Sequence, residues 1–126
     1  MSDMKKVTIA ELTDKFPGIQ DDIENVSQWL GCSVGNLSFA LDIEPMANRT
    51  TFATDLLSTY PYFPRDERRT NAVRKVLKCG STDWPIFVDA VDGFLMEGRH
   101  RIVAFYLEGR QTVNVVRVKA NQFVKS

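Results

Sequence analysis

Five consecutive residues, Glu97-Gly98-Arg99-His100-Arg101, hold the densest chemistry in the chain. An apolar run ends at Glu97, Gly98 permits a tight turn, and a helix opens with three donor-rich side chains. The start of a helix presents unpaired N–H groups and a partial positive charge. Such a site suits a phosphate or another anion. Gly98 lets a ligand approach the backbone closely. Arg101 offers a two-pronged fork for phosphate oxygens. Cations in a first helical turn oppose the dipole by about 0.3–1 kcal/mol each. A bound anion would relieve that cost, whereas without one the three residues are a solvated face.

A second basic group is Arg65, Arg68, Arg69, Arg74, Lys75 and Lys78, on or beside one helix. It reads either as a phosphate-facing surface for a triphosphate or a nucleic-acid backbone, or as a solvated face offset by Asp66 and Glu67. His100 is the sole histidine. Cys32 and Cys79 allow at most one disulfide, and reduced, buried thiols are the simpler expectation. One His and two Cys are too few for a His/Cys structural zinc site, so no metal ligands are assigned. Residues 26–41 suggest a helix-turn-helix, but the stretch lacks Lys and Arg and its flanks are acidic. A protein-contact surface or a helical cap on the main domain fits better than DNA recognition there.

The elements that must position these groups are legible in part. Thr8 to Glu11 forms a capping box, with Ile9, Leu12 and Phe16 at helical spacing before Pro17-Gly18. Residues 19–30 predict a second helix with Ile19, Ile23, Val26 and Leu30 on one face and the acids on the other, ended by Gly31. Ser33 can cap a third helical stretch to about Leu41. Trp29 and Phe39 read as core. From Asp42 to Pro64 three prolines argue for loop or extended chain. Asp66 opens a helix that ends before Gly80. Residues 85–89 and 94–97 predict two strands joined by an Asp92-Gly93 turn. A helix over 99–108 closes at Gly109, and β-branched residues 112–118 predict a last strand. The expectation is an α+β fold. A small mixed sheet packs with helices in a main domain over 46–126, preceded by a helical N-terminal appendage over 1–45.

Composition agrees with a globular chain. The 126 residues are 44% hydrophobic and 25% charged, with eight Phe. No apolar run approaches a membrane span and no secretory h-region follows the N-terminus, so a cytoplasmic protein without membrane partners is expected. Net charge is zero but split: residues 1–45 hold eight acids and three lysines, net −5, and the remainder carries +5. A split of this kind can separate an acidic flank from a phosphate-facing surface, or simply reflect surface variation.

In order and spacing, Pro64-Arg65, Leu77 with Gly80, Pro85-Ile86-Phe87-Val88, Gly98-Arg99-His100-Arg101, Ala104, Gly109 and Thr112 to Val118 resemble the ParB/sulfiredoxin superfamily over about residues 60–118. The resemblance implies a Gly-x-x-Arg helix start that binds nucleotide phosphates. Gly98, Arg99, His100 and Arg101 would do so here, joined by Arg65 and Arg68, with Glu97 as the catalytic candidate. A nucleoside triphosphate with Mg²⁺ is the implied ligand. NTP hydrolysis, phosphotransfer or a ParB-like nuclease activity are the implied reactions. Arg99 stands where sulfiredoxins have their nucleophilic Cys, which argues against sulfinic-acid reduction. Glu97 stands where a free-serine kinase branch has Asp. The DNA-binding domain that follows in ParB proteins is missing after Val118, which argues against chromosome partitioning. The alternative reading is a non-catalytic module for nucleic acid or a protein partner. The family's frequency in bacteria, plasmids and phages implies a bacterial cell or an infected host.

Overall fold

The computed structural model describes residues 5–46 and 84–121, together with Asn71 and Lys75. Within them the chain is α+β. Its strands are β1 (Lys5–Val7), β2 (Leu37–Pro45), β3 (Ile86–Asp89), β4 (Leu95–Glu97) and β5 (Thr112–Ala120). Its helices are α1 (Ile9–Lys15), α2 (Gln20–Leu30) and α3 (Arg99–Leu107), with one 3₁₀ turn at Val34–Asn36. The strands form one mixed sheet in the order β1-β2-β5-β3-β4. Only the β3–β5 pair is parallel, with Ile86 opposite Val115; the others are antiparallel.

Local chemistry explains most of the boundaries. The Thr8 hydroxyl accepts from the Glu11 amide at 3.1 Å, and the Glu11 carboxylate accepts from the Thr8 amide at 2.9 Å, which completes the capping box. α2 ends at Gly31, whose φ of 66° lets the Cys32 amide turn back to the Ser27 carbonyl at 3.2 Å. Between β3 and β4, the Asp89 carboxylate accepts from the amides of Val91 and Asp92. This Asx arrangement fixes the expected turn.

The core has two parts, one on each face of the sheet. On the first face, Leu12, Phe16, Ile19, Ile23 and Val26 of the α1–α2 hairpin pack on Leu37, Phe39, Phe87, Val116 and Val118. On the second, Ile102 and Phe105 of α3 pack on Ile86, Val88, Val113 and Val115. β5 therefore carries valines on both faces, as a central strand must. β2 sends Leu37 and Phe39 to the first face, but further along it buries Asp42 and Glu44 instead. Those two sit opposite Val115 and Val113, on the side of the second core. Arg117 pairs with Glu44 across the strands, and the Asp42 carboxylate accepts from the Ile43 amide at 2.9 Å.

Three expectations are corrected. The helix anticipated from Ser33 to Leu41 is a single 3₁₀ turn followed by a strand. Leu37, Ser38, Phe39 and Ala40 alternate with a period of two, and β2 pairs with β5 over all nine of its residues, so sheet pairing overrides local helical preference. Residues 1–45 are consequently no appendage: β1 and β2 are two of the five strands, and β2 covers one edge of central β5. Trp29 is 66% exposed, whereas Phe39 is buried as expected; Trp29 stands on the flank of the α2 apolar stripe rather than on it. The expected helix near 66–79, with Arg65 and Arg68, lies outside the described residues, although Asn71 and Lys75 are helical and exposed. Cys79 also lies outside them.

Because β2 is integral, Phe39→Ala should lower the unfolding free energy of the whole chain by about 3–5 kcal/mol. In urea, tryptophan fluorescence and far-ultraviolet dichroism should report one coincident transition for parent and variant. A separate early transition that alone responds to the substitution would mean that residues 1–45 fold as their own unit.

Candidate anion site at the start of helix α3

Gly98 sits between β4 and α3 with φ 97°, in the left-handed region. A Cβ here would stand 2.9 Å from Ile86 Cγ2 and 3.0 Å from Ile86 Cα. The glycine is thus required twice, for its dihedral and for the close approach of α3 to β3. Its carbonyl accepts the first α3 hydrogen bond, from Ile102 at 2.8 Å. As the N-cap it has no side chain to offer to the amides of the first turn, which belong to Arg99, His100 and Arg101. The structure therefore places the four motif residues at a helix start as expected. The side chains of Arg99 and His100 lie outside the described residues.

Arg101 is differently placed from the expectation of a fork turned to a ligand. Its Nη1 donates to the Pro85 carbonyl at 2.6 Å. Its Nη2 lies 3.1 Å from Oδ2 of Asp22 in α2, with the two side chains only 12% and 13% exposed. Its guanidinium stacks on the Trp84 ring, 5.0 Å from the centroid. Trp84 in turn lies under the α1–α2 turn, with its ring 3.2 Å from where a Gly18 Cβ would stand. One side chain from the second face of the sheet thereby grips the helical layer on the first.

The Asp22–Arg101 pair is close without being well aligned. Asp22 Oδ2 is buried and receives no directed hydrogen bond despite the 3.1 Å approach. Burial pushes the Asp22 carboxyl above its ordinary range. The charge of nearby Arg101 pulls it back, and neighbouring Asp21 adds a smaller push upward. Trp84 Nε1 is likewise buried without an acceptor among the described residues.

The sequence reading names neither Asp22 nor Trp84 as a site residue, and it gives Pro85 only as the start of a strand. Asp22 was assigned with the other acids to the outer face of α2, yet it flanks the apolar stripe between Ile19 and Ile23. The one signal that could have drawn it inward is its place on the same row as Val26, four residues on. Glu97 closes β4 beside Phe87 and is half-buried, with partners of its own. Among the described residues no three His, Cys, Asp or Glu side chains converge to hold a metal, and no helix is long and apolar enough to cross a membrane. A scan against protein-family models and searches of curated proteins and of solved structures found no match.

Arg101→Ala strips the buried Asp22 of its countercharge, and should cost about 3 kcal/mol in chemical denaturation; Gly98→Ala should cost about 1–3 kcal/mol from its left-handed backbone, or more with the clash. The native Asp22 carboxyl holds its proton above the unfolded value of 3.8. Its stabilising contribution is therefore complete below that pH and is lost as pH rises through the native midpoint. Unfolding measured across this window should show Asp22→Asn gaining on the parent as pH increases. A gap that is constant, or that closes the other way, would contradict the burial assignment.

Proposed function

We propose that this chain is a phosphate-binding domain that takes a nucleoside triphosphate at the start of α3. The observation that carries the reading is Gly98: a left-handed N-cap without a capping side chain, locked against Ile86. It leaves the positive end of a helix dipole and the first-turn amides without a cap from its own side chain. In this reading the amides of Arg99, His100 and Arg101 cradle phosphate oxygens, and Arg99, His100, Arg65 and Arg68 add side-chain donors. Arg101 holds the helix in place rather than touching the ligand, since its fork is engaged by Pro85 and Asp22.

The donor set fits a metal that arrives with its ligand. Mg²⁺ binds commonly through phosphate oxygens, waters and one or two carboxylates, and Glu97 directly precedes Gly98. Bound there, Mg²⁺ would neutralise charge on the phosphates; Glu97, directly before the turn, would orient water or an acceptor hydroxyl. Hydrolysis or phosphoryl transfer needs little else beyond positioning and charge stabilisation.

The engagement of Arg101 supports one second reading: a domain of this shape that binds nucleic acid or a protein partner without turnover. Thermal melting separates the two. ATP, CTP or GTP with Mg²⁺ at 100 times its dissociation constant should stabilise the protein by about 2.7 kcal/mol. The shift should vanish in the double variant Arg99→Ala, His100→Ala, which spares Arg101. If no nucleotide moves the melting temperature, the triphosphate reading fails. DNA binding that weakens steeply with salt and ignores nucleotide would then mark the nucleic-acid module.

A further inference from the structure

A second feature lies at the other end of α3. A cavity of about 110 Å³ opens at the foot of the sheet, bordered by Trp84, Phe105, Arg110, Thr112, Asn114 and Ile43. We propose that it is a binding pocket for a small carboxylate.

The lining decides the ligand class. Among the described residues it contains one cation and no acid, which favours an anionic over a cationic ligand. Its polar side chains are a guanidinium, a hydroxyl and an amide, which between them offer more donors than acceptors. Trp84 contributes ring surface to the wall, while its buried indole N–H is shielded from the space. A compact group that only accepts and carries negative charge complements this lining. The cavity has room for about three to four waters, which admits a carboxylate on a short tail and little more.

The aromatic walls are already engaged. The Arg110 guanidinium lies over the Phe105 ring at 5.1 Å from the centroid, and Arg101 occupies a face of Trp84. Stacking a flat aromatic ligand is therefore not what the walls provide. They hold Arg110 as a pre-oriented fork, which loses little freedom when it pairs with a carboxylate in two-pronged fashion. Arg110 and Asn114 keep partners of their own, and the carboxylate joins these. Exposed Ile43 at the rim supplies an apolar contact for the tail.

The two indole N–H resonances of the full chain give a direct readout, because Trp29 is exposed on α2 while Trp84 borders the cavity. Sodium acetate and sodium propionate, titrated at constant ionic strength against chloride, should move the Trp84 resonance along a saturating curve and leave Trp29 still. Arg110→Met should abolish the movement, and Arg110→Lys, which keeps the charge without the fork, should weaken it about tenfold. Should Arg110→Met fold poorly, Thr112→Val removes one donor and should weaken binding several-fold. Movement that does not saturate, that chloride reproduces, or that survives Arg110→Met overturns the pocket. Movement with inorganic phosphate but not acetate overturns the carboxylate assignment. Because Trp84 also stacks on Arg101 at the start of α3, the acetate response should persist in the Arg99→Ala, His100→Ala double variant; its loss there would put the anion at the helix start and overturn the pocket, whatever nucleotide does.

Discussion

The contact between Arg101 and Asp22 joins two layers that the backbone does not connect. α1 and α2 cover one face of the sheet and α3 covers the other. Each layer is held on the strands by its own apolar side chains. Arg101 reaches from α3 to the Pro85 carbonyl, the Trp84 ring and the Asp22 carboxylate, and so fixes the start of α3 relative to α2. Burying such a pair is expensive, since desolvation opposes the Coulomb gain, and the upward push on the Asp22 carboxyl is the local mark of that expense. What the pair contributes is geometry rather than net stability: Gly98, the uncapped helix start and Glu97 stand where this clamp puts them.

The same clamp shows what could be read from residue order and what could not. The Pro85 to Val88 strand, the Asp92-Gly93 turn, Gly98 and the valine-rich last strand were legible because their signals are local: an apolar run, a left-handed glycine, β-branched residues. β2 was misread because Leu37 to Leu41 suits a short helix as well as a strand, and the choice is made by β5, more than seventy residues later in the chain. The sequence neighbours of Arg101 suggest a phosphate ligand. Its partners are Asp22 and Pro85, and nothing at its own position announces them. Trp29 and Asp22 exchanged expectations for one reason. Both stand on the flank of the α2 stripe, where a helical wheel cannot say which layer will close over it.

β2 also shows how one strand serves two environments. It begins as an ordinary half-buried strand, then turns its buried side to the other face at Asp42 and Glu44. Carboxylates in such positions need donors. Glu44 takes one from Arg117 of the neighbouring strand, and Asp42 takes one from the next backbone amide. The second face is thus apolar under α3 and polar toward β2. This division leaves the apolar part of that face to β3 and β5, where Gly98 and Ile86 meet.

The position of β5 has a consequence for how the chain reaches this state. It is the centre of the sheet and is flanked on both sides, yet it follows every other described element in sequence. On a ribosome, β1, β2, β3 and β4 all emerge before the strand that joins them exists. Until then β2 and β3 each present an unpaired edge, and both faces of the future core lack their shared valines. Contacts of such long sequence separation slow folding and lengthen the exposure of open edges. The nascent chain is therefore most vulnerable to aggregation just before its last strand is made, and nicking between α3 and β5 would leave two pieces that each lack half of every central strand pairing.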